Sequence, residues 1–538
     1  MAQDPGNRRG TAQPIRISTQ PQVLVDSIGG RDKFDFYRFK LNRPGNIRAA
    51  LNGLKTNADL ALTNARGKIL HQSNRPGKRK ELLTAELNRG TYYLRVRGRG
   101  GNTRYRLRLG FNTPPRLAIN TGMAIGKGKT ASFGQRLLRV TDREQDAKKL
   151  VYTLTNQPQN GRLQLNGKAI AAGSQFSQED VDKGRLKYKS LPDRTRLVRT
   201  SREIRSFEVS GSNIVWAASD GNDFEIYHSD GNTTTQLTNN EFDDFAPKIS
   251  GSNVVWQGFD GNDYEIFFHN GSSTIQLTNN GFDDIAPQIS GSNVVWSGFD
   301  GNDYEIFYFN GSSTTQLTNN GADDASPQIS GSNVVWAGFD GNDYEIYRYD
   351  GSTIVPLTNN NQNDFSPQIS GSNTVWTSFD GKDFELFFNN GINTVQLTDN
   401  NRNDVSPHIS GNNIVWLGTE GVKQEIYYYN GSSIEQLTSS ATTKLSPIIS
   451  GSSIVWQGFS NGNSEIYYYN GSGIEQLTNN RAGDVLPKMS GPNLVWQSQQ
   501  GNTNELIYRN LATTDSFSFV VADRAGGKTD GTVNITIG

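Results

Sequence analysis

The sequence predicts an all-β protein: an eight-bladed β-propeller of four-stranded blades, accompanied by two small β-sandwich domains. Three observations carry this expectation. First, the eight tryptophans, Trp216, Trp256, Trp296, Trp336, Trp376, Trp416, Trp456 and Trp496, form one series with a step of 40 residues, and such a period signals a repeat architecture. Second, each unit, for example PQISGSNVVWSGFDGNDYEIFYFNGSSTTQLTNN, holds four runs of strand composition: PQIS, NVVWSGF, YEIFYF and TTQLT. The Asp-Gly and Asn-Gly strings between them tolerate positive φ and close tight hairpins. Four strands in about 40 residues is the unit of a propeller blade; a helical solenoid would need a 3.6-residue pattern, which is absent. Third, 57 glycines in 538 residues, with 10% aromatics, suit a turn-rich β chain that can still fill cores.

Taken in chain order, residues 1–14 (MAQDPGNRRGTAQP) read as a flexible segment. It has no apolar h-region, so no secretory signal of the usual kind is expected in it. Residues 15–111 alternate apolar and polar side chains in DFYRFKL, NADLALTNARGKIL, RGTYYLRV and TRYRLRLGF, as half-buried antiparallel strands do. TYYLRVRGRGGNTRYRLRLGF reads as a hairpin closed at Gly-Gly-Asn. Tyr92, Leu94, Val96, Tyr105, Leu107 and Leu109 would then face the core. Arg95, Arg97, Arg99, Arg104, Arg106 and Arg108 would point outward together. Such a strip is either solvated edge protection or an anion-binding surface for acidic polysaccharide, lipid headgroups or another copy. Nucleic acid is disfavoured, because no aromatic platform or recognition helix accompanies the arginines. On Asp35, Tyr37, Phe39, Asp59, Leu60, Gly90, Thr91, Tyr92 and Tyr105 the segment resembles the bacterial pre-peptidase C-terminal domain. The resemblance implies a small extracellular accessory β-sandwich without catalytic residues.

Residues 112–192 carry VTDREQDAKKLVYTLTNQPQNGRLQLNGKAI and FSQEDVDKGRLKYKS, which resemble the first part of a cadherin-like repeat of the chondroitin-sulfate-proteoglycan type. The ending expected of such a repeat is found instead at 515–537, as DSFSFVVADRAGGKTDGTVNITI. The propeller, 193–510, is therefore read as an insertion into a domain made of 112–192 and 511–538. A closed ring brings its chain ends side by side, so the insertion costs little geometrically. The alternative is that 511–538 donate strands to a neighbouring molecule and build a filament. The last repeat stops after its third strand, ELIYRN, and TRLVRT near 194–199 is expected to supply the fourth. The string DGNDYEIYRYDGS resembles the TolB-type propeller repeat, which implies a binding and assembly scaffold more often than an enzyme. Eight blades depart from that family's commoner six or seven.

The 53 basic and 53 acidic residues cancel only in sum: residues 1–210 hold 42 basic and 16 acidic residues, and 211–510 hold 9 and 34. Charge segregation of this kind speaks to association. The absence of cysteine excludes disulfides and thiolate chemistry, and no apolar run approaches a membrane span. Four histidines, His71, His228, His269 and His408, lie in no metal-ligand spacing, and no nucleophile elbow or phosphate loop occurs. No enzyme is expected.

The acidic loops carry the candidate sites. Asp220, Asp223, Asp260, Asp263, Asp300, Asp303, Asp340, Asp343, Asp380 and Asp383 lie in the first loop of the first five units. Asp243, Asp244, Asp283, Asp284, Asp323, Asp324, Asp364, Asp404 and Asp484 lie in the second, and all nineteen are expected on one face. Two readings stay open: turn formers with solubilising charge, or a face that collects cations or docks a basic partner. Calcium takes six to eight oxygen ligands, and the residues singled out for it are Asp260, Asn262, Asp263, Asp283, Asp284, Asp300, Asn302 and Asp303. A second calcium candidate is Asp142, Glu144 and Asp146 in TDREQDA. Each Trp alternates with Val, which points to burial between blades rather than sugar stacking. The whole reads as a non-enzymatic extracellular or cell-surface adhesion scaffold of bacterial type, binding protein or acidic polysaccharide. A self-assembling surface subunit and a propeller-type polysaccharide hydrolase are the alternatives.

Overall fold

Alternating side chains in the N-terminal segment give two sheets that share one core. The computed structural model describes residues 5–18, 20–231, 233–440 and 442–538. One sheet runs in the order Gln13–Pro14, Phe34–Leu41, Gly90–Gly98, Ala58–Asn64, Ile69–Ser73, and the other Gln22–Ile28, Thr103–Asn112, Gly45–Asn52, Glu81–Leu87. Tyr37, Phe39, Leu60, Leu94 and Val96 meet Ile47, Leu51, Tyr105, Leu107 and Leu109 in the buried layer. The expected hairpin over 91–111 is not formed. Gly90–Gly98 pairs with Phe34–Leu41 and Ala58–Asn64, while Thr103–Asn112 pairs with Gln22–Ile28 and Gly45–Asn52. Placed in separate sheets, the two apolar rows bury against each other instead of lining one face. Gly101, at φ +67°, helps carry the chain across. The Tyr105 hydroxyl donates to Asp35 Oδ2 and lies 2.5 Å from the Tyr37 hydroxyl, a buried polar link between the sheets.

The next core is built from both ends of the chain. Thr514–Ala522 pairs antiparallel with Val151–Asn156, and Lys528–Ile537 pairs parallel with Met123–Ile125. Phe517, Phe519 and Val521 pack with Tyr152, Leu154 and Tyr188. Asp515 fixes the join by accepting from Gln159 N, Asn160 N and the Tyr188 hydroxyl. The C-terminal strands are thus paired within their own chain. By contacts the chain divides into Met1–Pro192 with Ala512–Gly538, and Asp193–Leu511.

The second unit contains, among the described residues, eight four-stranded sheets. Seven take consecutive strands, as in Asp284–Ser290, Asn293–Phe299, Tyr304–Phe309 and Thr314–Gln316. The eighth is ordered Arg194–Thr200, Thr503–Asn510, Asn493–Gln500, Gly483–Ser490. Each motif residue has a local task. In the Asn-Gly-Ser-Ser turn, Asn270 Oδ1 accepts from Ser272 N and Ser273 N. In Leu-Thr-Asn-Asn, Thr278 Oγ1 accepts from Ile266 N, and Asn280 Oδ1 accepts from Phe282 N. Neighbouring sheets are fastened by a serine: Gly291 N donates to Ser250 Oγ at 2.8 Å. The equivalent bond from Gly211 N to Ser490 Oγ, 3.0 Å, joins the first repeat to the last. Glu208, Lys248, Gln288, Gln328, Gln368, His408, Ile448 and Lys488, one from each repeat, line one cavity of about 350 Å³.

A bulge in the first strand sets which way the acidic residues point. The register slips between Ile285 and Gln288, and Ala286 sits at φ +54° just before Pro287. The same conformation recurs at Ala246, Ser326, Ser366, Ser406, Ser446 and Leu486. A bulge re-aims the strand on either side of it. Asp284 consequently faces the tryptophan while Gln288 faces the cavity.

Candidate metal centres in the repeats

The buried strand run Tyr-Glu-Ile carries a carboxylate that the local pattern alone would not place there. In the second repeat, Asp260, Asp263 and Glu265 bring one carboxylate oxygen each within 4.8 Å of one another. Asp260 Oδ1 accepts from Asn262 N at 2.9 Å, which closes the loop, and Asp260 N donates to Asp263 O. Asp263 is 7% exposed and neither of its carboxylate oxygens has a hydrogen-bond partner. Glu265 is fully buried; its Oε1 accepts from Asn280 N, and its Oε2 has no partner. Burial pushes the Glu265 carboxyl up to about 7, the Thr278 hydroxyl and Asn280 N–H opposing it and the Asp284 and Asp263 charges adding to it. Burial likewise raises Asp244 and Asp324 to about 6.

The arrangement recurs as Asp220, Asp223 and Glu225, then Asp300, Asp303 and Glu305, then Asp340, Asp343 and Glu345, then Asp380, Asp383 and Glu385. Asp223 and Asp303 also lack partners at both oxygens. Unneutralised carboxylates in a buried site are costly, and all the donors are hard oxygens of the kind calcium takes.

The sequence-derived residues divide. Asp260, Asp263, Asp300 and Asp303 lie in these clusters. Asn262 and Asn302 contribute backbone N–H groups to the loop. Asp283 Oδ1 accepts from Tyr264 N, so it ties one loop to the next. Asp284 is spoken for: Oδ1 accepts from Trp296 Nε1 at 2.8 Å and Oδ2 from Asn280 Nδ2 at 2.6 Å. The indole itself is buried and stacks on Phe307, with centroids 5.8 Å apart. Eleven of the nineteen loop aspartates expected on one face, Asp263 and Asp284 among them, are buried instead. A glutamate follows each Trp by nine residues in all eight repeats, and the sequence expectation did not include it among the ligands. Its signal was a carboxylate in the middle of an aromatic and β-branched strand.

The last three repeats differ. Glu420 and Lys423 replace the two loop aspartates in the sixth, Ser460 and Asn463 in the seventh, Gln500 and Thr503 in the eighth. Lys444 occupies the position of Asp284, is 3% exposed, and places Nζ 2.7 Å from Glu425 Oε2. Arg199 Nε lies 3.3 Å from Glu505 Oε1. Glu465 in the seventh repeat keeps one oxygen without a partner.

Among the other candidates, Asp142 and Glu144 lie side by side, the Glu144 charge adding to the burial that raises Asp142, but Asp146 does not join them. Glu144 accepts from the Thr113 hydroxyl at 2.6 Å and faces Arg43 at 3.5 Å, and Asp142 Oδ1 accepts from Glu144 N. Asp146 is exposed and pairs with Lys149. Nor do the six arginines form one strip, because their strands belong to two sheets. Arg95 and Arg97 lie over the Phe34 ring, and Arg99 pairs with Asp59 at 2.5 Å. Arg104, Arg106 and Arg108 stand opposite Ser27, Val25 and Val23 on the other sheet.

Residues 33–98 match the family model described as Bacterial pre-peptidase C-terminal domain, and residues 115–201 match the one described as Cadherin-like. The latter match does not include the C-terminal strands that complete its sheet. FRAS1-related extracellular matrix protein 2 from Homo sapiens is 29% identical over 93 residues, 17% of this chain and 3% of that protein. Chondroitin sulfate proteoglycan 4 from Homo sapiens is 39% identical over 71 residues, 13% of this chain and 3% of that protein. The chain thus spans about 3% of the length of these curated relatives. Among solved structures, the β-propeller domain of the Trilobed protease from Pyrococcus furiosus aligns at TM-score 0.40 and 11% identity, covering 52% of this chain and 99% of that one. TolB from Acinetobacter baumannii aligns at TM-score 0.27 and 18% identity, covering 40% and 56%. The chain is a modular all-β protein. It joins a segment similar to the pre-peptidase C-terminal domain, a segment similar to cadherin-like domains, and a region of 40-residue repeats. No helix among the described residues is long and apolar enough to cross a membrane.

Proposed function

We propose that this chain is a non-enzymatic binding scaffold of the bacterial cell exterior, an eight-bladed propeller carried between the two pieces of a cadherin-like β-sandwich, with a pre-peptidase-type sandwich ahead of it. The eight-bladed reading draws support from the cavity that eight residues at 40-residue intervals line together. The extracellular reading draws on the matrix proteins that share the cadherin-like segment. One observation carries the functional reading: the acidic side chains recur in the same geometry in five successive repeats instead of converging on one asymmetric cleft. Such repetition multiplies equal contacts, as a surface that collects cations or engages a protein or polysaccharide does. The test is surface plasmon resonance of the full chain against collagen and chondroitin sulfate, run beside peptide and glycan hydrolysis assays. Saturable retention without turnover is expected. Substrate turnover that co-purifies with the chain would overturn the reading.

A further inference from the structure

From the repeats' own carboxylates we infer that each of the first five holds one calcium ion, bound by the two loop aspartates and the strand glutamate: Asp260, Asp263 and Glu265 in the second. This rests on the cation-collecting part of the proposed function and is independent of adhesion. Beyond the clustering itself, two observations point to a ligand. The first is that Asp223, Asp263 and Asp303 are at least nine-tenths buried, yet both oxygens of each are without a protein partner. The buried Glu225, Glu265 and Glu305 each leave Oε2 unpartnered beside them. A native protein satisfies its buried polar atoms, and one that repeatedly does not is missing a partner at that place.

The second observation is internal to the chain. Where the loop aspartates are lost in the sixth repeat, the strand glutamate is kept and a lysine ammonium, Lys444 Nζ, lies against it. In the eighth, Arg199 does so. A positive charge of the chain's own thus attends the glutamate in two of the three repeats that lack the aspartates. The first five have the extra carboxylates, and among the described residues no lysine or arginine pairs with the strand glutamates Glu225, Glu265, Glu305, Glu345 and Glu385, although Arg202 acts by its charge on Asp220 and Lys382 on Asp380. Three carboxylates with hard oxygens, two of them fully available on Asp263, match calcium's preference for many oxygen ligands at flexible geometry; magnesium holds its waters and fits less well.

The experiment uses the full chain stripped with EDTA and titrated with calcium chloride by equilibrium dialysis, with melting followed in parallel. About five ions per chain are expected, one for each cluster. The melting temperature should rise by several degrees, since a ligand bound only by the folded state stabilises it. Asp263→Asn, and separately Glu265→Gln, should each lose about one ion. The triple change Glu420→Asp, Lys423→Asp and Lys444→Asp should gain about one. No binding at millimolar calcium overturns the inference, as does a stoichiometry left unchanged by both Asp263→Asn and Glu265→Gln. Matrix binding that persists in a chain that takes up no calcium breaks this inference alone. Its loss while the ions remain bound breaks the adhesion reading alone.

Discussion

Repeats one to five and six to eight share strand order, a buried tryptophan and the strand glutamate, but they meet the buried negative charge differently. The early repeats surround Glu265 and its equivalents with two loop aspartates and the clamped Asp284. The sixth replaces both the loop aspartates and the clamp, ending in the Lys444–Glu425 pair. The scaffold tolerates either solution because the sheet hydrogen bonds, the serine fastening and the Trp stack do not depend on it. Gly451 N still donates to Ser410 Oγ, and Trp456 still stacks on Tyr467. What changes is where the neutralising charge comes from.

The comparison is broken or sharpened by substitutions on each side. The largest effect is expected from Trp296→Ala, which opens a cavity between sheets and leaves Asp284 Oδ1 without its donor. A cost of about 3–5 kcal/mol in urea unfolding follows. Trp456→Ala should cost about 1–2 kcal/mol less, since a lysine stands where the indole's carboxylate would be. Lys444→Met should cost about 3–5 kcal/mol by stranding Glu425 in a buried site, and adding Glu425→Gln should recover most of it. Equal stability of the single and double variants would refute that account.

Asp263→Asn should change sign with calcium. In EDTA it relieves an unpartnered buried charge and stabilises by about 1 kcal/mol, whereas in excess calcium it destabilises. A shift of one sign in both conditions would remove the distinction between the two groups of repeats.

The cavity supplies a pH effect shared by both. Burial would raise Glu208, but Lys248 and Lys488, at 2.9 and 3.0 Å, outweigh it and hold the carboxyl down at about 2. His408 is pushed down to about 4 by burial, with Lys488 and Lys248 adding and Glu208 opposing. Both groups bind protons more readily unfolded than folded. The stability these two groups contribute is therefore whole at neutral pH, falls first as pH drops from about 6.5 toward 4 through His408, and then from about 4.5 toward 2 through Glu208, whereas Glu265, Asp244 and Asp324, raised by burial, act in the opposite sense as pH falls from about 7. Melting temperature against pH should lose its upper step in His408→Gln and its lower one in Glu208→Gln. The smallest effect is expected from Arg199→Gln. That arginine is 62% exposed, and its pair with Glu505 should contribute less than about 1 kcal/mol.

Much of the architecture was legible because it is local and repeated. The Trp step fixed the repeat, and the alternation of Tyr92, Leu94, Val96, Tyr105, Leu107 and Leu109 identified residues turned toward a core. The same alternation could not say that Gly90–Gly98 and Thr103–Asn112 enter different sheets, because strand partners are chosen by long-range burial. For that reason Arg95 and Arg106 share a spacing in sequence but not a face. Among the acidic residues, the Asp-Gly-Asn-Asp loop was readable as a cluster. The pair Asp283 and Asp284 was not resolvable: one ties a loop, and the other enters a strand whose bulge at Ala286 turns it onto Trp296. The strand glutamate escaped notice as a ligand because pattern reading treats it as one polar position in a half-buried run.

The sequence by itself determined the repeat, its turns and the split charge, since each follows from short-range chemistry copied every 40 residues. Only the tertiary structure decided which carboxylates leave water. That choice depends on the neighbouring sheet, which covers Glu265, takes Asp284 for its tryptophan, and leaves Asp263 facing two other carboxylates with nothing of the protein's own to neutralise them.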